Sequence, residues 1–171
     1  MDNIILIGMP SSGKSTVGVI LAKILGKGFT DTDLVIQARE KKLLSQLIEE
    51  RGTEGFLEAE EQALLSITAD DTVIATGGSA VYSKKGMESL SAGGTVVYLK
   101  VGWDELCRRL HDVRQRGVVL RNGETVRQMF ESRSELYERY ADIVVSEDGM
   151  SIEDTVRTVA ERLGVQSLYK E

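Results

Sequence analysis

Gly8-Met-Pro-Ser-Ser-Gly13-Lys14-Ser15 satisfies the pattern G-x-x-x-x-G-K-[ST], directly after the apolar run 4–7 and at the head of the amphipathic stretch Lys14–Leu25. A strand, a glycine-bounded turn and a helix in immediate succession leave few folds open. The glycines let the backbone curl, so that N–H groups among Gly8, Ser11, Ser12, Gly13, Lys14, Ser15 and Thr16 converge on one point. The helix that follows aims its positive end at the same point. Such a cradle suits phosphate oxygens. Lys14 adds a mobile charge for β- and γ-phosphates, and the Ser15 hydroxyl is a candidate magnesium ligand. The implied cofactors are ATP and Mg2+.

The rest of the chain repeats the alternation. Apolar runs at 72–75, 95–99 and 142–145, with a weaker one at 28–31, are separated by helical patterns at 45–51, 54–67, 84–91, 103–110, 125–140 and 151–163. The runs 95–99 and 143–145 are rich in β-branched and aromatic residues, which predicts strands buried on both faces of a parallel sheet. Strands alternating with helices predict an α/β fold with helices on both faces. Ligands of such sheets sit beyond the carboxyl ends of the strands. No linker divides the 171 residues, so 1–171 is expected to be one domain.

Three further motifs fall where that ligand would lie. Asp31-Thr-Asp33 follows the strand candidate 28–31. On an extended chain two residues at i and i+2 point the same way. One carboxylate can then serve magnesium and the other can orient an acceptor hydroxyl and take its proton; the same pair also suits a helix N-cap with a solvated turn residue. Thr76-Gly77-Gly78-Ser79 follows the strand at 72–75. It reads either as a close backbone approach to substrate or as a plain turn capped by Ser79. Arg108, Arg109, Arg114, Arg116 and Arg121 crowd a segment with Gly117 and Gly123 as turn residues. Cations on a closing lid, about 112–123, would surround migrating phosphoryl charge and exclude water, though charge runs are often only solvated surface. His111, the only histidine, is read as a surface residue, and Cys107, the only cysteine, as a buried apolar one.

This series of motifs resembles the shikimate kinases and their close relatives over nearly the whole chain. The resemblance implies a P-loop NTPase fold of the nucleoside-monophosphate-kinase style, with a five-stranded parallel sheet and a mobile lid. It implies phosphoryl transfer from ATP to the 3-hydroxyl of shikimate. By the same likeness Asp31 helps hold magnesium, Asp33 binds acceptor hydroxyls and acts as base, and Gly77 and Gly78 line the acceptor site. Arg116 is the lid arginine, Arg133 binds the acceptor carboxylate, Arg109 lies against adenine, and the loop 146–150 closes the adenine pocket. The acceptor-binding helical region is expected at about 33–61.

The chain departs from the family on the acceptor side. Leu57 stands where the family has an arginine after Phe56, Ser79 replaces the third glycine of the turn, and Arg116-Gly-Val-Val119 replaces Arg-Pro-Leu-Leu. Glu60, three residues beyond Leu57, shares its helix face and is expected to lack the arginine partner. A different small hydroxylated acceptor is therefore an alternative to shikimate. A nucleoside-monophosphate kinase or a nucleotide-binding regulator without transferase activity are further alternatives, but a pure binder has no need of Asp33. The formal charge of -6 gives no electrostatic reason for nucleic acid or an anionic membrane as partner. The N-terminus carries no targeting pattern. A cytoplasmic monomer or weak homo-oligomer that binds a small-molecule substrate is expected.

Overall fold

The computed structural model describes residues 2–110, 118–121 and 123–165. The chain runs β1 (Asn3–Gly8), α1 (Lys14–Leu25), β2 (Gly28–Asp31), α2 (Thr32–Glu40), α3 (Leu44–Leu65), β3 (Thr72–Ala75), a 3-10 turn (Ala80–Tyr82), α4 (Lys84–Ser91), β4 (Gly94–Lys100), α5 (Trp103–Arg109), α6 (Val126–Tyr140), β5 (Ile143–Ser146) and α7 (Ile152–Arg162). The five strands form one parallel sheet in the order β2-β3-β1-β4-β5.

The period of two along β1 divides the core. Ile5 and Ile7 join Ile74, Val96 and Tyr98 under Met87 of α4 and Met129 and Tyr137 of α6. Ile4 and Leu6 join Val73, Val97 and Leu99 under Val17 and Leu21 of α1 and Val156 and Val159 of α7. Helices thus cover both faces, as the continuous apolar strands require. A smaller core of Ile36, Leu47, Phe56, Ala59 and Ala63 ties α2 to α3 and receives Val119 from the segment before α6.

The helical patterns 45–51 and 54–67 stand as two helical segments of α3, parted at Gly52, whose φ of 68° and ψ of -176° break the helical ladder; other local readings change. A helix, α2, starts at Thr32, so Asp31 and Asp33 lie across a strand-to-helix boundary and not along an extended chain. β5 is an edge strand with Val144 41% exposed, so the run 143–145 is not buried on both faces. Cys107 is exposed, because the core takes Leu106 of α5 instead. His111 lies outside the described residues.

Register sets the site. Leu6 of β1 and Asp31 of β2 both pair with Ala75 of β3. The strand ends that lead into Gly8, Asp31 and Thr76 therefore lie side by side.

Candidate active site

The phosphate half is built from one stretch of chain. Gly13 takes φ 86° and Ser11 φ 64°, both left-handed, and this curls the loop ahead of α1. The first amides of α1 have no intrahelical partner, which is what a bound anion needs. Lys14 is 7% exposed. Its Nζ donates to Gly8 O at 2.9 Å, Met9 O at 2.7 Å and Ser12 Oγ at 3.3 Å. No carboxylate of the described residues pairs with it. Burial pulls its pKa down to about 8, against the nearby carboxylates, Asp33 foremost, which favour the charge. A buried cation met only by neutral oxygens is a seat for an anion that the protein itself does not supply.

Beside it, Ser15 Oγ donates to Asp31 Oδ2 at 2.6 Å, while Asp31 Oδ1 accepts from Asp33 N at 2.9 Å. Asp31 is therefore both the cap of α2 and the partner of Ser15. The two readings of the acidic pair turn out to be compatible. A hydroxyl and a carboxylate held together at the edge of a phosphate cradle are hard oxygen donors that suit Mg2+. They fit the ion that the sequence implies.

Across the same cavity, of about 280 Å³, the lining includes Lys14, Ser15, Asp33, Gly77, Ser79 and Arg133. Burial raises Asp33 to about 6, helped by the charge of Asp31 and opposed by Lys14. A carboxylate so tuned is a competent proton acceptor near neutral pH. Gly77 lies against it: a methyl group there would come 2.8 Å from Asp33 Oδ1 and 2.7 Å from Glu60 Oε1, so a side chain there would displace both carboxylates. The Gly77 amide donates to the buried Thr32 hydroxyl at 2.9 Å, and the Tyr137 hydroxyl donates to Gly78 O at 2.6 Å, so both glycines are fixed in place.

Arg133 is 1% exposed. Its Nε donates to the Tyr82 hydroxyl at 3.1 Å and its guanidinium also donates to Val119 O. No carboxylate of the described residues pairs with it. Ser79 does not act as a cap. Its hydroxyl donates to Glu60 Oε2 at 2.6 Å.

The structure thus gathers Gly13, Lys14, Ser15, Thr16, Asp33, Gly77, Gly78, Ser79 and Arg133 around one cavity, with Ser11 at its rim. Leu57 is not in that lining. It borders a neighbouring cavity of about 220 Å³ with Glu60, Tyr82 and Arg121. Arg109 is also apart. It donates to Glu105 at 2.7 Å and lies 3.5 Å from Glu147, which brings it to the loop 146–150. Arg116, and with it most of the expected lid, lies outside the described residues.

Sequence reasoning missed Tyr82 and Thr32, which orient site residues from a distance in sequence that no motif spans. It also missed Glu147, 2% exposed and raised to about 7 by burial against the pull of Arg109 and Lys14.

The sequence pattern and the fold recur in known proteins. The sequence model of the shikimate kinase family matches residues 10–164. The chain is 37% identical to the shikimate kinase of Parabacteroides distasonis over 170 residues, covering 95% of this chain and 98% of that one. It is 39% identical to that of Histophilus somni over 154 residues, 87% of each chain. Among solved structures, the shikimate kinase from Acinetobacter baumannii in complex with shikimate superposes with a TM-score of 0.85 at 27% identity, covering 99% of this chain and 96% of that one. The Aquifex aeolicus shikimate kinase gives a TM-score of 0.83 at 29% identity, covering 95% and 96%.

Proposed function

Because the chain belongs to the shikimate kinase family, whose model spans residues 10–164, we propose that it transfers the γ-phosphoryl group of ATP to a hydroxyl of shikimate or a closely similar small acceptor. The observation that carries this reading is the placement of Lys14, buried and without a carboxylate partner, in the same cavity as Asp33. One group waits for phosphate and the other for a proton.

In this reading Lys14 and the loop amides hold the β- and γ-phosphates, and Ser15 with Asp31 holds the magnesium ion. Mg2+, when bound, neutralises charge that builds on the phosphate oxygens. Asp33 accepts a hydrogen bond from the acceptor hydroxyl, orients it in line with phosphorus and takes its proton as the new P–O bond forms and ADP leaves. Gly77 and Gly78 let the acceptor approach the backbone closely, and Arg133 meets an anionic group of the acceptor. Arg109 and the loop 146–150 cover the base of the nucleotide. Arg116 belongs to the same proposal as the lid cation, and a cytoplasmic site of action goes with it.

Leu57, Ser79 and Glu60 support a second reading, in which the phosphoryl donor is the same and the acceptor differs. A family member with an arginine at position 57 would present two guanidiniums to a carboxylate; here, among the described residues, Arg133 is the one arginine that lines the pocket. The test is ADP release from MgATP with and without shikimate. Acceptor-dependent turnover at an ordinary metabolic rate supports the first reading. Turnover only with other hydroxylated acceptors supports the second. Failure to bind MgATP sinks both.

A further inference from the structure

Arg133 lines the cavity that holds Asp33, and its hydrogen-bond partners among the described residues are neutral oxygens. Nε donates to the Tyr82 hydroxyl at 3.1 Å and Nη2 donates to Val119 O. The Tyr137 hydroxyl, close by, gives its own proton to Gly78 O. Nε and Nη2 share one edge of the planar guanidinium. That edge is filled by the protein. The end of the fork, Nη1 with the second hydrogen of Nη2, is left for a ligand.

Tyr82 closes the 3-10 turn Ala80–Tyr82, directly after the glycine turn that borders the same cavity. It is half-buried, and two guanidiniums lie against its ring, that of Arg121 at 4.0 Å from the ring centre and that of Arg133 at 5.0 Å. Its hydroxyl also lies 3.4 Å from Ser132 Oγ on α6. Ring and hydroxyl therefore have separate tasks. The ring packs against the two cations, and the hydroxyl fixes the direction of one of them. A carboxylate in that place would hold Arg133 as firmly and cancel its charge. A phenol holds it and leaves the charge to be met from the cavity. A guanidinium already fixed loses little freedom when it grips an anion, and its fork end can give a carboxylate two parallel bonds. A carboxamide offers that fork one oxygen and an N–H group that the fork cannot accept.

We propose that Tyr82 is a positioning residue that sets acceptor selectivity: its hydroxyl holds the Arg133 guanidinium end-on to the cavity, so that the site takes an acceptor bearing a carboxylate in preference to the neutral counterpart. This rests on the kinase reading above, in which Arg133 meets an anionic group of the acceptor.

Shikimate and its carboxamide differ in the charge of one planar group. Each is titrated calorimetrically into the full chain with Mg2+ and ADP, and ADP release is followed in parallel with MgATP. The wild type should bind shikimate at least about tenfold more tightly than the carboxamide, the scale of one charged hydrogen bond. Tyr82→Phe keeps the ring and removes the hydroxyl. It should weaken shikimate by about tenfold, leave the carboxamide and the nucleotide unchanged, and raise the KM for shikimate with little change in kcat. A second measurement needs no acceptor. The 15N–1H signal of Arg133 Nε, identified by its absence from Arg133→Lys, should be protected from exchange with water in the wild type and exchange freely in Tyr82→Phe. Free exchange of that proton in the wild type overturns the proposal. So does a Tyr82→Phe variant that keeps the full preference, or one that loses both ligands alike, which is the mark of a structural role only. A wild type that binds neither ligand, or the two equally, overturns it too, and ADP release with another hydroxylated acceptor then leaves the kinase reading standing. Absence of ADP release with every acceptor overturns both.

Discussion

The two halves of the cavity are made differently. The proposed phosphate half comes from a single run, 8–16, whose curled backbone and orphan helix amides would do the binding. The acceptor half is assembled from Asp33 on α2, the turn after β3 and Arg133 on α6, tied from behind by Ser79–Glu60, Tyr82–Arg133 and Tyr137–Gly78 hydrogen bonds. Backbone recognition tolerates little change, because any substitution must keep the same unusual dihedrals. Side-chain recognition changes one position at a time on an unchanged scaffold. This explains how the first half can follow the family pattern while the second carries Leu57 and Ser79.

The largest effect is expected where the halves meet. Asp33→Asn keeps the shape and removes the base, so kcat should fall by about 10²–10⁴-fold with nucleotide affinity nearly intact. Asp31→Asn, two residues away, should instead raise the magnesium concentration at half-maximal rate, because it alters the partner of Ser15. Magnesium titrations of the two variants that coincide would show that the carboxylates share one task. The wild-type profile of kcat/KM against pH should rise through about 6 as Asp33 ionises and fall above about 8 as Lys14 loses its proton.

Next comes the phosphate half. Lys14→Ala should cost about 10²–10³-fold in turnover, the scale of removing one preorganised charge contact. The fold should persist, since among the described residues Lys14 bonds only to the loop itself. A folded Lys14→Ala enzyme with near-normal kcat would take the loop out of the mechanism.

A smaller effect separates the acceptor readings. Leu57→Arg should lower the KM for shikimate by about tenfold and change kcat less, because a second guanidinium adds ground-state binding to the carboxylate. A wild type that already uses shikimate efficiently, with no gain on substitution, would mean that another cation serves in its place. Arg121 is the structural candidate, its guanidinium 4.0 Å above the Tyr82 ring in the cavity that Leu57 borders.

The same contrast governs what the sequence reveals. The loop, both aspartates and the double glycine are contiguous and sit at strand ends, so the pattern of residues gives their positions directly. The five strands follow from the apolar runs, but β2 and β5 are the edges of the sheet and are only partly buried, Val144 openly exposed, and no local pattern announces an edge. The helix at Thr32 was hidden because Asp31 serves as its cap as well as the partner of Ser15. Glu60 was legible only as a neighbour of Leu57. Its bond to Ser79, 19 residues away in sequence, depends on how α3 packs against the turn after β3.

The smallest expected effect is on stability, and it has a definite sign. The carboxyl of Asp33 is raised from 3.8 to about 6 in the folded chain, chiefly by burial. Between those values the folded state holds more protons than the unfolded one, so this group's contribution to stability falls as pH rises from about 4 to about 6 and stays low above that. Asparagine is neutral throughout. Asp33→Asn should therefore match the wild type near pH 4 and exceed it near pH 7, while its activity is lost. The side chain is half-buried, so solvent screens part of the penalty and about 1–2 kcal/mol remains. For a chain of this size that corresponds to a gain of a few degrees in Tm. Thermal melts of both proteins at matched pH from 4 to 8 give the difference directly, because every other titrating group contributes to both. A difference that does not change with pH would mean that Asp33 titrates as an ordinary surface carboxylate, and its role as the base poised near neutrality would fall with it.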